Sequence, residues 1–149
     1  MTTLAAEARA YKDQGYRFMK MRFGYTAVDG PAGMKKNVER VKTVVDAIGD
    51  EIPLAGEAAQ GWDVPYAIAM IRMLEAEGLN LAWVEEPVIS DDIDGLAQIR
   101  AAVRTPISSG EHEFTRYGFR DLIAKKAVDI LQPDISRIGG ITEARRVWA

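Results

Sequence analysis

The side chains best suited to chemistry in this sequence are acidic and evenly spaced. Glu57, Glu85 and Glu111 each sit where a predicted β-strand gives way to a turn, 28 and 26 residues apart, and Asp134 ends a fourth such strand 23 residues later. Carboxylates at successive strand ends converge if the strands run parallel around a barrel. Two such charges 4 Å apart repel by about 4 kcal/mol at an effective dielectric of ~20, so a cation must sit among them. A divalent metal with hard oxygen ligands is the natural candidate, and Mg²⁺ is the commonest. On the preceding strand, Phe18-Met19-Lys20-Met21-Arg22-Phe23 alternates strictly. Met19, Met21 and Phe23 suit a helix-facing exterior, which turns Lys20 and Arg22 toward the barrel interior. A single acid at a strand end is most simply a helix cap or a loop charge. Four in consecutive units, facing a Lys-x-Arg, point to an enzyme.

The elements that must carry these residues alternate without a break. A helix over 4–14, ended by Gly15, precedes the strand over 18–23. Apolar residues at 3- and 4-residue steps predict a helix from Met34 to Ile48, after a longer Gly24–Gly33 loop. A strand over 52–57 follows, then a helix that Asp63 caps, with Pro65 in its first turn, running to about Gly78. Strands over 81–85, 106–109 and 128–132 are separated by helices capped at Asp91 or Asp92 and at Thr115, and a last helix starts near Ile141 after Gly139-Gly140. The expectation is an α/β partial TIM (β/α) barrel over 1–149, with five parallel strands alternating with six helices. A complete eight-unit barrel needs about 250 residues, so the sequence reads as a piece of one.

Composition narrows the partners. With 149 residues, 48% apolar content and a net charge of −3, the chain fits one globular domain and argues against nucleic acid. There are no cysteines, so a disulfide, a thiol nucleophile and a zinc–thiolate site are excluded. The first residues lack a signal-peptide pattern, and no apolar run approaches the ~20 residues of a membrane span. A soluble, cytoplasmic protein is expected. The open edges of a partial barrel predict a homo-oligomer.

Taken together, several stretches resemble one family. Lys20-Met21-Arg22, Glu57-Ala58-Ala59-Gln60-Gly61-Trp62, Trp83-Val84-Glu85-Glu86-Pro87, Gly110-Glu111 and Gln132-Pro133-Asp134 with Gly139-Gly140 fall in the order seen in the enolase superfamily, mandelate racemase/muconate lactonizing enzyme branch. Lys20-Met21-Arg22-Phe23-Gly24, Glu85-Glu86-Pro87-Val88 and Gly110-Glu111-His112-Glu113-Phe114 are most similar to sugar-acid dehydratases of the rhamnonate dehydratase type. The resemblance implies a Mg²⁺ site from Glu57, Glu85 and Glu111 that binds the substrate carboxylate. It implies abstraction of the proton α to that carboxylate, an enediolate, and loss of a β-hydroxyl. Lys20 and Asp134 fall at the family's base positions, Asp134 as partner of a histidine on the next strand.

The departures from the family pattern carry their own chemistry. Glu57 stands where Asp is usual, reaching one methylene further. Arg22 replaces a second Lys, and a guanidinium is a poor general base and a better clamp for an anion. That favours one-base dehydration over racemisation, with a racemase or epimerase, or a non-catalytic fragment, as the alternatives. His112, the one histidine, is either a substrate contact or a structural hydrogen-bonding group. Glu86 is assigned by alternation to the face opposite Glu85, where it either supports the site from behind or lies at the surface. The family's N-terminal capping domain and last barrel units have no counterpart in the sequence, so the 149-residue chain by itself is expected to be catalytically silent and to bind Mg²⁺ weakly.

Overall fold

Strand phase decides where the charged residues go. In the computed structural model of the protein, which describes residues 2–149, strand β1 (Met19–Arg22) buries Met21 and leaves Lys20 and Arg22 accessible. Four more strands follow, β2 (Leu54–Glu57), β3 (Val84–Glu85), β4 (Ile107–Ser109) and β5 (Ile130–Leu131). They form one sheet in the order β1-β2-β3-β4-β5, every neighbouring pair parallel. The register pairs Arg22 with Glu57 and Glu57 with Glu85. Three charged residues on three adjacent strands therefore stand at one level and on one face. The partial barrel with five parallel strands is as the sequence predicts.

The connecting helices are α1 (Thr2–Asp13), α2 (Gly30–Ile48), α3 (Val64–Ala76), α4 (Ile93–Ala102), α5 (Thr115–Ala124), α6 (Ile135–Ile138) and α7 (Ile141–Trp148). Their apolar faces close over the outer face of the sheet. Leu54, Val84 and Ile107 from the strands and Val41, Ile48, Met70, Ile71, Leu96, Ile99 and Phe119 from the helices are buried in one cluster. Asp63 caps α3 by accepting from the Tyr66 N–H at 2.8 Å, with Pro65 in the first turn. Asp92 does the same for α4 through the Gly95 N–H at 2.8 Å. Gly56 is a glycine because a Cβ there would lie 2.6 Å from the Phe23 ring, which packs flat against β2.

The strands are shorter than in the sequence reading, β2, β3 and β5 covering only the last or central residues of 52–57, 81–85 and 128–132, and three features of the helices differ. Seven α-helices are found among the described residues where six were expected. The extra one is α6, a single turn that the Asp134 side chain nucleates and Gly139, at φ 105°, ends in the left-handed region. Helix α2 begins at Gly30 rather than Met34, because the supposed loop is already turning as a 3₁₀ segment over Ala27–Asp29. Thr115 is the first residue of α5 at φ 57°, and Phe114 takes the cap position. Fully buried Asn37 fixes the β1–α2 connection, its carboxamide oxygen accepting from the Gly24 and Tyr25 N–H groups and its NH₂ donating to the Tyr25 carbonyl. Among the described residues no helix is long and apolar enough to cross a membrane.

Candidate active site

At the C-terminal ends of β1 to β3 the inward side chains form one ion cluster. The Glu57 carboxylate is shared, Oε1 accepting from Arg22 Nη2 at 2.6 Å while Oε2 lies 3.4 Å from Lys20 Nζ. Lys20 Nζ also donates to Glu85 Oε1 at 2.5 Å. Glu85 Oε2 accepts from Trp83 Nε1 at 3.0 Å and from Gln132 Nε2 at 2.9 Å. Gln132 is held in turn by the Ser108 hydroxyl, which donates to its carboxamide oxygen. Trp83 is fixed by stacking on Phe18, ring centroids 4.8 Å apart. Each of these contacts joins residues of different strands or of the segments flanking them, except that from Trp83, just before β3, to Glu85.

The electrostatics follow from unequal burial. Glu85 is 1% exposed, and burial alone would push its carboxyl pKa up. Hydrogen bonds from Lys20, Gln132 and Trp83 outweigh that and hold it below the usual carboxylate range. Burial likewise draws the Lys20 ammonium down, yet the hydrogen bond and charge of Glu85, followed by Glu57, hold it above its ordinary value. Both groups are therefore ionised at neutral pH. The repulsion expected between neighbouring strand-end acids is real, and here the chain's own Lys20 and Arg22 offset it.

The remaining site residues sit on the next two strand ends. Glu111 is half-buried in the turn after β4, its Oε1 3.9 Å from His112 Nδ1, and its charge is felt by the Arg22 guanidinium. His112 is bound to Glu86, with Nδ1 2.7 Å from Oε1. Asp134 caps α6, its Oδ1 accepting from the Ser136 N–H at 2.7 Å and the Arg137 N–H at 3.3 Å. The Ser136 N–H is the main reason its carboxyl is held below the usual range. The structure thus brings Lys20, Arg22, Glu57 and Glu85 into one bonded cluster. Glu111 and His112 lie beside a second cluster built on Glu86, and Asp134 is engaged with its own helix.

Two groups of donors invite a metal. Glu86, Glu111 and His112 have ligand atoms within 4.8 Å of one another, the one such group among the described residues. Within that group Glu86 Oε1 and His112 Nδ1 already bond each other. Glu57 and Glu85 are the better fit for a hard divalent cation. Their carboxylates reach one point, and a cation, Lys20 Nζ, stands there at 3.4 Å and 2.5 Å.

Sequence reasoning left Glu86 either supporting the site or at the surface. It is 2% exposed and bonds His112, and at φ 43° it leaves the strand alternation that was used to place it. Pro87 gave no warning of this, since a residue before proline is normally extended. Gln60, at φ 61° beyond β2, was quoted only within the Glu57–Trp62 stretch and given no role.

The sequence matches a known family model, described as enolase C-terminal domain-like, across residues 3–149. The chain belongs to the enolase C-terminal domain-like family. Within that family it is 42% identical, over 76% of its length and 28% of the relative's, to the L-talarate/galactarate dehydratase of Salmonella typhimurium strain LT2. It is 31% identical, over 96% of its length and 35% of the relative's, to the D-galactarolactone cycloisomerase of Agrobacterium fabrum strain C58. Among solved structures, rhamnonate dehydratase from Gibberella zeae complexed with Mg superposes with a TM-score of 0.86 at 35% identity, covering 93% of this chain and 34% of that one. The chain thus spans about a third of the length of these family members.

Proposed function

We propose that this chain carries the metal-ligand and proton-abstraction side of a Mg²⁺-dependent lyase site that dehydrates a sugar acid. The observation that supports it most is the convergence of the Glu57 and Glu85 carboxylates on one cation, with Arg22 beside them. In this reading Glu57, Glu85 and Glu111 hold Mg²⁺. When bound, Mg²⁺ supplies the positive charge that stabilises the substrate carboxylate as the α-proton leaves.

The chain's own residues do the rest. Arg22, permanently charged, draws in and orients an anionic acid. Lys20 Nζ takes the α-proton as the neutral amine, once it has left the two glutamates and lost its ammonium proton to solvent. The C–H electron pair becomes a C=C bond as the β-hydroxyl departs, the ammonium that Lys20 has become protonating it to water, and the enol tautomerises to a 2-keto acid. His112 contacts a substrate hydroxyl. Asp134, ionised and anchored by the α6 backbone, orients a base on the strand that follows it in the barrel. A racemase needs a proton acceptor on one face and a proton donor on the other, and Arg22, permanently charged, exchanges no proton. We further propose that turnover requires a capping domain and more barrel strands than the five described.

The test is a panel of galactarate, talarate and rhamnonate, with Mg²⁺ or a chelator. It is offered to the chain alone and to the chain joined to the remaining barrel strands and cap of the Salmonella dehydratase. The joined protein should form 2-keto acid only with Mg²⁺, and the chain alone should stay at background. Products are also scored for ring formation, which would indicate a cycloisomerase. Mg²⁺-dependent turnover that survives Glu85→Gln or Glu111→Gln would overturn the ligand assignment.

A further inference from the structure

Beside the ion cluster lies a second buried acid that the proposed reaction does not use. Glu86 is almost fully buried, and its two oxygens are engaged by different strand ends. Oε1 lies 2.7 Å from His112 Nδ1, at the turn after β4, and Oε2 accepts from Gln60 Nε2 at 3.3 Å, at the turn after β2. Gln60 Nε2 also lies 3.0 Å from His112 Nδ1. Both contacts of Nδ1 cannot be hydrogen bonds at once, since one needs a proton on that nitrogen and the other a lone pair. The buried carboxylate decides between them. A bare Nδ1 at 2.7 Å would set lone pair against lone pair beside a charge with little access to water. The proton therefore sits on Nδ1 and is donated to Glu86, and the Gln60 amide donates to the other oxygen.

We propose that Glu86, braced by Gln60, is a positioning residue that fixes His112 as the Nδ1–H tautomer and leaves an unprotonated Nε2 as the only ring nitrogen available to a ligand. The backbone supports a built device rather than a chance contact. Glu86 and Gln60 both adopt positive φ, 43° and 61°, a region that non-glycine residues enter at a cost. They are tied to each other there by a 2.7 Å hydrogen bond from the Gln60 N–H to the Glu86 carbonyl. The Gln60 carboxamide oxygen in turn accepts from the Ser90 N–H at 3.4 Å, anchoring the brace to the loop after β3. Strain is thus placed on the two residues that hold the third.

The consequence is a hydrogen-bond acceptor rather than a donor at the site. On the sugar-acid reading, Nε2 accepts from a substrate hydroxyl. A carboxylate or ketone oxygen cannot be bound there by the neutral ring. The tautomer itself does not depend on that reading.

Because the chain has one histidine, the test is unambiguous. Two-bond ¹H–¹⁵N correlation on the ¹⁵N-labelled 149-residue chain, at a pH where the ring is neutral, reports which nitrogen carries the proton. The expected spectrum has a pyrrole-type Nδ1 and a pyridine-type Nε2. Glu86→Ala should shift the ring toward the Nε2–H form that a free histidine side chain prefers, with amide dispersion checked to confirm folding. A pyridine-type Nδ1 in the wild-type chain overturns the proposal without any variant. So does a well-dispersed Glu86→Ala spectrum with the tautomer unchanged. Failure of the sugar-acid reading shows separately, as no turnover of any sugar acid by the chain joined to the remaining barrel strands and cap, with the wild-type tautomer as expected.

Discussion

Replacing Lys20 with methionine keeps the aliphatic stem and removes the ammonium bonded to Glu85. Breaking a buried ion pair by deleting one partner typically costs 3–5 kcal/mol. Here about 2–3 kcal/mol is expected, because the Lys20 side chain is 39% exposed and water screens it. The pH dependence has a definite sign. Glu85 is held below its ordinary range, so its contribution is present above the unfolded value near ~4.3 and is lost as pH falls through the folded value. Lys20 is held above its ordinary value, so its contribution is present below about 10.4 and is lost as pH rises through the folded value. The pair therefore stabilises across the neutral range. Lys20→Met should lower the urea midpoint at pH 7 and lose less stability on acidification than the wild type, the loss ending at a higher pH, because without the ammonium the folded value of Glu85 lies nearer its unfolded one. A second readout separates stability from metal binding. Lys20 competes for the same oxygens as the proposed Mg²⁺, so saturating MgCl₂ should raise the Tm of Lys20→Met by more than it raises that of the wild type. An equal shift in both would place the metal elsewhere.

Among the elements, the tightest constraint is the packing of Phe23 over β2. Gly56→Ala puts a methyl 2.6 Å from the Phe23 ring and 3.0 Å from Leu81 Cδ1, and the ring must move. Overpacking of this kind costs about 1–3 kcal/mol, to be read as a lower Tm by calorimetry. A neutral Gly56→Ala would mean that Phe23 has room to shift. The same residues show which parts of the fold were legible. Met21, Phe23 and Lys20 declared their faces because a strand half-buried on each side must alternate. The helices α3 and α4 declared their starts because Asp63 and Asp92 are caps with a mechanism. What could not be read was local geometry that depends on a tertiary partner. Asn37 holds the β1–α2 connection from 12 and 13 residues away, so the early start of α2 left no mark in the Gly24–Gly33 stretch. Asp134 was legible as a strand-end acid but not as the cap of α6, because a strand-end acid and a cap carry the same signature. Glu86 was legible only as a supporting or a surface residue, because alternation was carried one residue beyond the strand. The ion cluster was legible to the extent that its members obey strand phase. The Glu86–His112 bond was not, since it joins two turns.

For the molecule as a whole, the unanswered demand is coverage of the two outer strands. β1 and β5 bound the sheet, and each offers an edge that another strand can join. The surface around those edges is apolar. Tyr16 and Phe18 are exposed beside β1, while Ile141 and Trp148 on α7, beyond β5, are 72% and 78% exposed. We propose that the 149-residue chain self-associates through these ends, because burying them removes apolar area from water at about 25 cal/mol per Å². Light scattering at micromolar concentration should then give a mass above 16.4 kDa that rises with concentration. The double substitution Ile141→Lys and Trp148→Lys tests which end is responsible. Both side chains are exposed, so the change should leave stability within about 0.5 kcal/mol while lowering the associated fraction. A drop in association with an unchanged urea midpoint would locate the contact at α7. Unchanged association would move it to the β1 edge, and a strictly monomeric wild-type chain would show that the exposed ends are tolerated by water without a partner.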